Sequence, residues 1–380
     1  MDYEKILLKI KHKADMLMER VDPTDPMHEA CYAVDGKYSD RRVLIYNPEN
    51  WTHSFLNGII AYLYFHFKEE KYLDYLLKQK EIYTTLLFDN EKEISHDVGF
   101  MYSLYAVAMY KLTGDSDFKK LALKAADEIG KRYQFKANVV QAFYDMRVRG
   151  ITDDIALIIV DDMMNMQLLM WAYEETGHSF YRSVYTNHIE NSIKTLIRDD
   201  YSVRHAYHFD ARSGSPLTEM NYCGYSIGTH WARGTAWMIY GLTAVLMHTG
   251  ANERYFLPLK GVAEKYVSLL GEDFVPVWDF RLPEGAPHMT DTSAAVIAAS
   301  AFLNFDKLNI KDEEKNKYRN IAENTLNSIC ENYMAEDSTE NVINGGQSGN
   351  NESGTIWGDY FFTELLMKKL HGDNLPSFWI

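Results

Sequence analysis

The sequence predicts an all-α protein in which six helical hairpins close into an (α/α)6 barrel. Apolar residues recur at three- and four-residue spacing along most of the 380 residues, as expected of amphipathic helices. Proline is scarce, with nine residues that fall mostly between the helices. A Thr-Gly pair also recurs at the ends of predicted helices, which is the pattern of a repeated hairpin.

The periodicity predicts twelve helices in chain order. They lie near residues 3–20, 52–67, 70–86, 98–112, 116–132, 162–175, 179–197, 231–248, 253–270, 292–304, 312–333 and 357–370. Twelve helices make six hairpins, and in a closed ring alternate helices form an inner and an outer layer. We expect residues 1–380 to form a single domain.

Three turns are marked by the Thr-Gly pair, at Thr113-Gly114, Thr176-Gly177 and Thr249-Gly250. Each is followed within a few residues by an aromatic residue that opens the next helix. Glycine just past a helix end commonly adopts the left-handed conformation, and a short link of this kind joins two antiparallel helices.

The stretch 158–177 is predicted to contain an inner helix. A short β-prone run, Ile158-Ile159-Val160, leads to Asp161 and Asp162, and the helix that follows is apolar on nearly every face. A helix that is apolar all round is buried. Carboxylates at the mouth of a buried helix are costly unless they cap the helix, pair with a cation or take part in chemistry.

Composition excludes several classes of partner. The formal net charge is −15, which disfavours nucleic acid and an anionic membrane surface as partners. Three widely spaced cysteines form neither a disulfide framework nor a metal-binding pattern. The N-terminal helix lacks the apolar core of a signal peptide, and no stretch of about 18 apolar residues is present. We expect a cytoplasmic protein without a metal or another cofactor, of undefined oligomeric state.

Long non-helical segments separate the hairpins, and loops at one end of a rigid scaffold are where sites are normally built. The last of these segments, 335–356, is rich in Gly, Asn and Ser and is predicted to be a mobile loop. The segments are 22–50, 134–160, 200–230, 273–291 and 335–356.

Polar and aromatic residues concentrate at four junctions between a loop and an apolar helix. These are 50–53 (NWTH), 95–100 (SHDVGF), 161–162 (DD) and 230–237 (HWARGTAW). Taken singly, each has a simpler explanation, because an aspartate at a helix start is often only a cap and a tryptophan is often core. Their recurrence at equivalent places favours one shared rim.

Six motifs resemble those of the unsaturated glucuronyl hydrolases, glycoside hydrolase family 88. They are NWTHSF at 50–55, HDVGF at 96–100, IIVDDMMNMQLLMWAYEETG at 158–177, HWARGTAWMIYGL at 230–242, DTSAAVIAA at 291–299 and TIWGDYFFTELL at 355–366. The matches run in order over most of the chain. The fold of that family is the (α/α)6 barrel, in agreement with the hairpin pattern.

The resemblance implies an unusual glycosidase. Such enzymes release the 4,5-unsaturated uronic acid from the non-reducing end of lyase-generated di- or oligosaccharides. They hydrate the C4=C5 double bond, so the usual rule that relates carboxylate separation to stereochemistry does not apply. The parent polysaccharide is left open.

The resemblance also assigns roles. Asp161 matches the acid/base aspartate, and Asp97 matches a second essential aspartate that would help to keep the first protonated. Asp162 is read as a cap or support. The remaining matches are to substrate-binding positions, with Arg233 near the uronate carboxylate and the tryptophans as ring-stacking positions: His96, Trp51, His205, Trp231, Arg233 and Trp237.

The chain departs from the family pattern at several positions. Tyr222 and Cys223 replace a histidine and a glutamine, Phe143 replaces a tryptophan, and His53 follows the NWT motif. The residues at 222 and 223 would lie near the uronate or the neighbouring sugar, and both aspartates are unaffected.

Three alternatives are open. The unsaturated rhamnogalacturonyl hydrolases of family 105 share the barrel and the hydration chemistry, but they typically carry RGNGW where this chain has RGTAW at 233–237. Sugar 2-epimerases work with histidine pairs such as His205 and His208, and the paired aspartates would then have no role. A non-catalytic helical scaffold would not require Asp, His, Arg and Trp at one rim.

Overall fold

Helices dominate the computed structural model, which describes residues 1–25, 30–39, 51–89, 95–143, 152–250, 252–349 and 351–379. The helices are α1 (Tyr3–Arg20), α2 (Phe55–Phe67), α3 (Glu70–Leu77), α4 (Lys80–Asp89), α5 (Val98–Tyr102), α6 (Ala108–Thr113), α7 (Ser116–Lys131), α8 (Asp162–Asn165), α9 (Gln167–Thr176), α10 (Ser179–Leu196), α11 (Ala232–Thr249), α12 (Glu253–Ser268), α13 (Thr292–Asn304), α14 (Asp312–Ser328) and α15 (Ile356–His371). Within this part of the chain, none is both long and apolar enough to cross a membrane.

The inner helices form a closed ring. In order around the ring they are α2, α5–α6, α8–α9, α11, α13 and α15, and α15 contacts α2 again. Each inner helix is preceded in the chain by an outer one, from α1, α3–α4, α7, α10, α12 and α14. The inner layer is apolar all round, as in α11, where every residue from Ala232 to Leu246 is buried. The arrangement confirms the (α/α)6 barrel.

Short turns lead from an inner helix to the next outer helix. Gly114 and Gly177 end α6 and α9 in the left-handed conformation, with φ of 72° and 70°. These two caps confirm the hairpin prediction. Gly250 after α11 differs, because its ψ of −168° lies outside the left-handed helical region, although its φ is 76°. The prediction of a left-handed cap at Gly250 was therefore wrong.

Long loops lead from each outer helix to the following inner helix. Because successive helices are antiparallel, all inner helices begin at the same end of the barrel. The four polar junctions precede α2, α5, α8 and α11, so the topology places them on one rim. Asn50, in the first junction, lies outside the described residues.

Several predicted helices are interrupted. The helix predicted at 70–86 is divided into α3 and α4, and the one at 162–175 is divided at Met166 into α8 and α9. In the second case the side chain of Gln167 donates to the carbonyl of Met163, which alters the local turn. A π-helical segment, Ser103–Val107, joins α5 to α6, and another, Ile329–Tyr333, follows α14.

A three-stranded antiparallel sheet, which the sequence did not predict, lies at the rim. Strand β6 (Ala206–Asp210) pairs with β5 (Ile155–Ile159) on one side and β7 (Pro216–Met220) on the other. The N–H of Val160 donates to the carbonyl of His205, which sets His205 beside the start of α8.

Shorter two-stranded hairpins occupy the other loops. They are β1 (Ala33–Val34) with β2 (Lys37–Tyr38), β3 (Tyr133–Gln134) with β4 (Val139–Val140), and β8 (Gly346–Ser348) with β9 (Asn351–Ser353). The segment 335–356 was predicted to be a mobile loop. Instead it holds β8 and β9, and Val342, Ile343 and Gln347 are buried.

Candidate active site

Two carboxylates stand at the starts of neighbouring inner helices. Asp97 immediately precedes α5 and Asp161 immediately precedes α8, but neither side chain makes a capping hydrogen bond. Both are partly open, with 18% and 15% of the side chain exposed. The simple explanation that they only cap their helices therefore fails for both, and the carboxylates face the rim of the barrel.

Asn165 links the two aspartates. Its Oδ1 accepts from the N–H of Phe100 at 2.7 Å, which fixes the orientation of the amide. Its Nδ2 then lies 3.2 Å from Oδ1 of Asp97 and 3.5 Å from the carbonyl oxygen of Asp161. One side chain thus donates to the carboxylate of the first aspartate and to the backbone of the second.

Gly99 allows this close approach. A Cβ atom at Gly99 would lie 2.4 Å from both the Cα and the carbonyl oxygen of Asn165. Real Cβ atoms essentially never come within 3.0 Å of another heavy atom in this way. Only glycine at this position lets the starts of α5 and α8 pack together.

Three buried histidines share one hydrogen-bond pattern. The Nδ1 atoms of His96, His188 and His205 each accept a backbone N–H at 2.9 Å. The donors are Phe143, Val140 and Tyr222, respectively. An imidazole nitrogen that accepts a hydrogen bond carries no proton, so each neutral ring must carry its proton on Nε2.

Each Nε2 of these histidines faces a carboxylate. His96 Nε2 lies 3.2 Å from Oδ1 of Asp97, and His205 Nε2 lies 3.5 Å from Oδ2 of Asp161. Oδ1 of Asp97 therefore accepts a hydrogen bond from Nδ2 of Asn165 and also lies close to Nε2 of His96, which does not hydrogen-bond to it. Hydrogen bonds of this kind stabilise the ionised form of a carboxylate.

Asp162 is fully buried, unlike the partly exposed Asp97 and Asp161. Its Oδ2 accepts from the N–H of Ile159 at 3.2 Å, so it does not cap α8. Burial raises the pKa of Asp162 well above its usual range, and the charges of Asp97 and Asp161 act in the same direction. The support role, rather than the cap role, fits this position.

A continuous aromatic and cationic wall adjoins the aspartates. Arg233 lies between the rings of Trp231 and Trp357, with its Cζ atom 4.6 and 5.4 Å from their centroids. Trp357 continues to Trp51 at 4.9 Å, and Trp231 continues to His205 at 5.0 Å. The wall brings four of the predicted substrate-binding residues into one contact chain.

Arg233 is already paired. Its Nη1 donates to Oδ2 of Asp291 at 2.6 Å and to the carbonyl of Gln347 at 3.0 Å. Asp291 is fully buried and also accepts from the N–H groups of Ser293 and Ala294 at the start of α13. The guanidinium is therefore held rigidly, and Nη1 serves the fold rather than a ligand.

Trp237 does not reach the surface of the cleft. Its ring is fully buried in α11 and packs against Phe100 and Phe361, at centroid distances of 5.4 and 5.3 Å. A ring with no exposed face cannot stack on a sugar. This placement corrects the expectation of a ring-stacking position at Trp237.

The chain resembles known proteins in both sequence and structure. The sequence matches the model of Glycosyl Hydrolase Family 88 over residues 27–363. The chain belongs to glycosyl hydrolase family 88.

Relatives within this family are similar along nearly their whole length. An unsaturated chondroitin disaccharide hydrolase of Streptococcus pneumoniae is 32% identical over 341 residues, which are 87% of this chain and 84% of the relative. An unsaturated glucuronyl hydrolase of Bacillus sp. GL1 is 31% identical over 351 residues, 90% of this chain and 91% of the relative. These matches favour the family 88 reading over the rhamnogalacturonyl hydrolase, epimerase and scaffold alternatives.

Solved structures agree with this placement in the family. The crystal structure of an unsaturated glucuronyl hydrolase from Bacillus sp. GL1, described as responsible for the degradation of glycosaminoglycan, superposes with a TM-score of 0.89 at 28% identity. The superposition includes 99% of this chain and 98% of the Bacillus chain.

Three of the four family departures cluster around His205 and His96. Tyr222 and Cys223 both donate their N–H groups to Nδ1 of His205, at 2.9 and 3.3 Å. The ring of Tyr222 lies 5.7 Å from that of Phe143, edge to face. Phe143, in turn, donates its N–H to His96. These departures from the family 88 pattern therefore form one patch beside both aspartates.

Two residues that the structure brings to the site, Asn165 and His188, were not predicted from the sequence. Asn165 lies four residues after Asp161, a spacing that puts both on one helix face, so this position carried a usable signal. His188 lies on the outer helix α10 and reaches the site through a non-local contact that no local pattern encodes. In the described part of the chain, no group of three or more His, Cys, Asp or Glu side chains could hold a metal ion.

Proposed function

We propose that this family 88 member releases the 4,5-unsaturated uronic acid from the non-reducing end of lyase-generated oligosaccharides. The observation that carries the proposal is the pair of partly exposed carboxylates, Asp97 and Asp161, which Asn165 joins and which neither helix uses as a cap. We also propose that the chain acts as a single catalytic domain over residues 1–380.

We assign the acid/base role to Asp161. Its Oδ2 has no hydrogen-bond partner among the described residues, and Nε2 of His205 lies 3.5 Å away, so this oxygen is the one left open toward a substrate. Asp97 accepts the N–H of Asn165, and a hydrogen bond of this kind favours the ionised form. Two neighbouring carboxyl groups in unlike environments suit an acid and an anion, respectively.

The proposed reaction consumes one water molecule. The proton of the Asp161 carboxyl adds to C4, and the electrons of the C4=C5 double bond form the new C–H bond. The ring oxygen stabilises the positive charge at C5, and Asp97 is the nearby anion. Water adds at C5 and returns a proton to a carboxylate of the pair. The hemiketal opens to a ketone at C5, and C1 then releases the neighbouring sugar as an alcohol.

We propose that the wall holds the uronate. Trp51 is partly exposed and offers a ring face, whereas Trp231, His96 and His205 are buried and support the wall and the carboxylates from behind. Only Nη1 of Arg233 has hydrogen-bond partners among the described residues. Its other nitrogens can bind the uronate carboxylate, for which a planar cationic fork is well suited.

The relatives suggest a substrate class. The curated relative from Streptococcus pneumoniae is a hydrolase of unsaturated chondroitin disaccharide. We therefore propose unsaturated disaccharides of glycosaminoglycans as the first substrates to test. We place the protein in the cytoplasm because its three cysteines are odd in number and widely spaced in the sequence, unlike the disulfide framework of a secreted protein.

A panel of lyase products tests the function. Unsaturated disaccharides from chondroitin, hyaluronan, heparin and gellan would be incubated with the protein, with an unsaturated rhamnogalacturonan disaccharide for comparison. Loss of the ultraviolet absorbance of the double bond with any uronyl disaccharide supports the proposal. Release of the sugar with the absorbance intact, or no change with any of these substrates, contradicts it.

A further inference from the structure

A row of alternating histidines and aspartates runs inward from the cleft. It begins at Asp97, passes through His96 and Asp162, and ends at His188, which is fully buried on α10. His96 Nε2 lies 3.2 Å from Oδ1 of Asp97 and 3.9 Å from Oδ1 of Asp162. His188 Nε2 lies 3.8 Å from Oδ2 of Asp162.

Backbone hydrogen bonds determine which ring nitrogen of each histidine in this row carries the proton. Because the N–H groups of Phe143 and Val140 donate to Nδ1 of His96 and His188, both rings carry their proton on Nε2. Both Nε2–H groups therefore face the carboxyl group of Asp162, and that of His96 also faces Asp97. The two distances to Asp162 exceed a hydrogen bond but lie within the range of electrostatic attraction.

We propose that Asp162 is a positioning residue for the reaction: backed by His188, it holds the ring of His96 so that Nε2 stays 3.2 Å from Oδ1 of Asp97. This proposal rests on the proposed function, in which Asp97 is the anion of the carboxylate pair. Asp162 itself has no exposed surface, so it acts through His96 rather than on the substrate.

The charges around Asp162 come from several elements. Burial raises its pKa, and the charges of Asp97 and Asp161 act in the same direction, whereas the N–H of Ile159 and the guanidinium of Arg132 oppose the rise. A buried carboxyl group with a raised pKa gains from every N–H group that faces it. At 3.9 and 3.8 Å, the two imidazole N–H groups act on Asp162 by electrostatic attraction and not by hydrogen bonds.

His188 contributes as a neutral donor. Burial lowers the pKa of His188 to about 3. The ring is therefore uncharged near neutral pH and supplies an N–H group without adding a positive charge. Its own Nδ1 is tied to β4 through the N–H of Val140, so the ring cannot turn without losing that bond.

The decisive variant is Asp162→Asn. The amide keeps the shape and can still accept from Ile159, but it then presents an N–H group toward the Nε2–H of His96. We expect the repulsion to turn the His96 ring, so that Nε2 no longer lies beside Oδ1 of Asp97. We expect kcat to fall by about 10- to 100-fold with a KM change below about two-fold, because a small misplacement of a catalytic group has effects of this size. The acid limb of the pH profile should shift as well.

The spectroscopic signature separates positioning from general damage. In protein labelled with ¹⁵N at histidine, the ring nitrogen signals of His96, assigned by their loss in His96→Gln, should change in Asp162→Asn, while those of His205 stay in place. This measurement requires no substrate. It therefore tests the arrangement even if the wild type does not turn over an unsaturated disaccharide, which would contradict the proposed function separately.

Two further variants complete the test. Glu364→Gln alters another fully buried carboxylate, which bonds to Tyr240, Ser300 and Lys368, and should leave kcat unchanged. His188→Asn should lower kcat in the same direction as Asp162→Asn but less, and it serves if Asp162→Asn does not fold. Wild-type kcat and pH profile in Asp162→Asn, or in His188→Asn in its place, would overturn the proposal. Lost activity with unchanged His96 signals would also overturn it.

Discussion

The Nδ2 atom of Asn165 lies 3.2 Å from Oδ1 of Asp97, and its orientation is fixed because Oδ1 of the same amide accepts from the N–H of Phe100. Asn165 belongs to α8, the helix that Asp161 precedes, and Asp97 precedes α5. This contact therefore joins the two candidate catalytic helices at the carboxylate that is proposed to act as the anion.

Replacing Asn165 by aspartate tests this contact. The variant keeps the acceptor for Phe100 but removes the donor and adds a negative charge beside Asp97. We expect kcat to fall about 100-fold, within the range for a general acid–base group that is perturbed. Steady-state kinetics measure the effect. Asn187→Asp on the outer helix α10, where the amide donates to Tyr133, is the matched control and should retain activity. Equal activity of the two variants would contradict the role of Asn165.

Gly99→Ala should separate the two helices. The added Cβ would meet the backbone of Asn165 at 2.4 Å, and a backbone atom cannot move aside as a flexible side chain can. We expect a loss of about 1–3 kcal/mol of unfolding free energy, typical of overpacking, together with reduced kcat. Urea denaturation and kinetics would measure both.

Gly271→Ala is the control for this substitution. At Gly271 the nearest atom to an added Cβ is Oδ1 of Asp273 at 3.3 Å, in a loop between α12 and α13. This variant should lose much less stability and no activity. A Gly99→Ala protein as stable and active as the Gly271→Ala protein would mean that the two helix starts have room to adjust.

Removing Arg233 should destabilise the protein as well as weaken binding. Arg233→Ala leaves the fully buried Asp291 without its cationic partner. Breaking a buried ion pair from one side typically costs about 3–5 kcal/mol. In the double variant Arg233→Ala/Asp291→Asn the uncompensated charge is gone, so part of that stability should return, while affinity for the uronate should not. Thermal unfolding and substrate titration measure the two effects. No recovery in the double variant would show that the pairing is not the source of the loss.

Stability should fall as pH rises from about 4 to about 7 because of Asp359. Burial raises the pKa of this carboxyl group to about 7, although the hydroxyl of Tyr38 and the N–H groups of Val342 and Ile343 stabilise its ionised form. The unfolded chain should have a pKa of about 3.9. The folded state therefore holds the proton more tightly, so the contribution is full below about pH 4 and is lost as pH rises through about 7. The loss is on the order of 4 kcal/mol.

The pH prediction is checked by denaturation at a series of pH values. Asp359→Asn cannot ionise, so the difference in unfolding free energy between the variant and the wild type should change in favour of the variant as pH rises. Parallel pH profiles for the two proteins would show that the carboxyl group does not titrate in this range.

The barrel and its reactive rim could be predicted because both depend on local signals. The apolar periodicity and the glycine turns at 114 and 177 fixed the hairpins, and antiparallel connectivity then placed Asp97 and Asp161 at the same end. The sheet of β5, β6 and β7 depends on pairing between segments about 50 residues apart, which no local pattern contains. For the same reason the inward position of Trp237 and the contact of His188 with Asp162 required the structure.

The most direct test of the account is the reaction of wild type and Asp161→Asn with unsaturated chondroitin disaccharide in deuterium oxide. The account predicts that the wild type releases a uronic acid product carrying solvent deuterium at C4, while the double-bond absorbance disappears. Asp161→Asn should fold normally and show turnover reduced by about 10²- to 10⁴-fold. Release of the neighbouring sugar before the double-bond absorbance is lost, or an Asp161→Asn variant as active as the wild type, would contradict the proposed hydration.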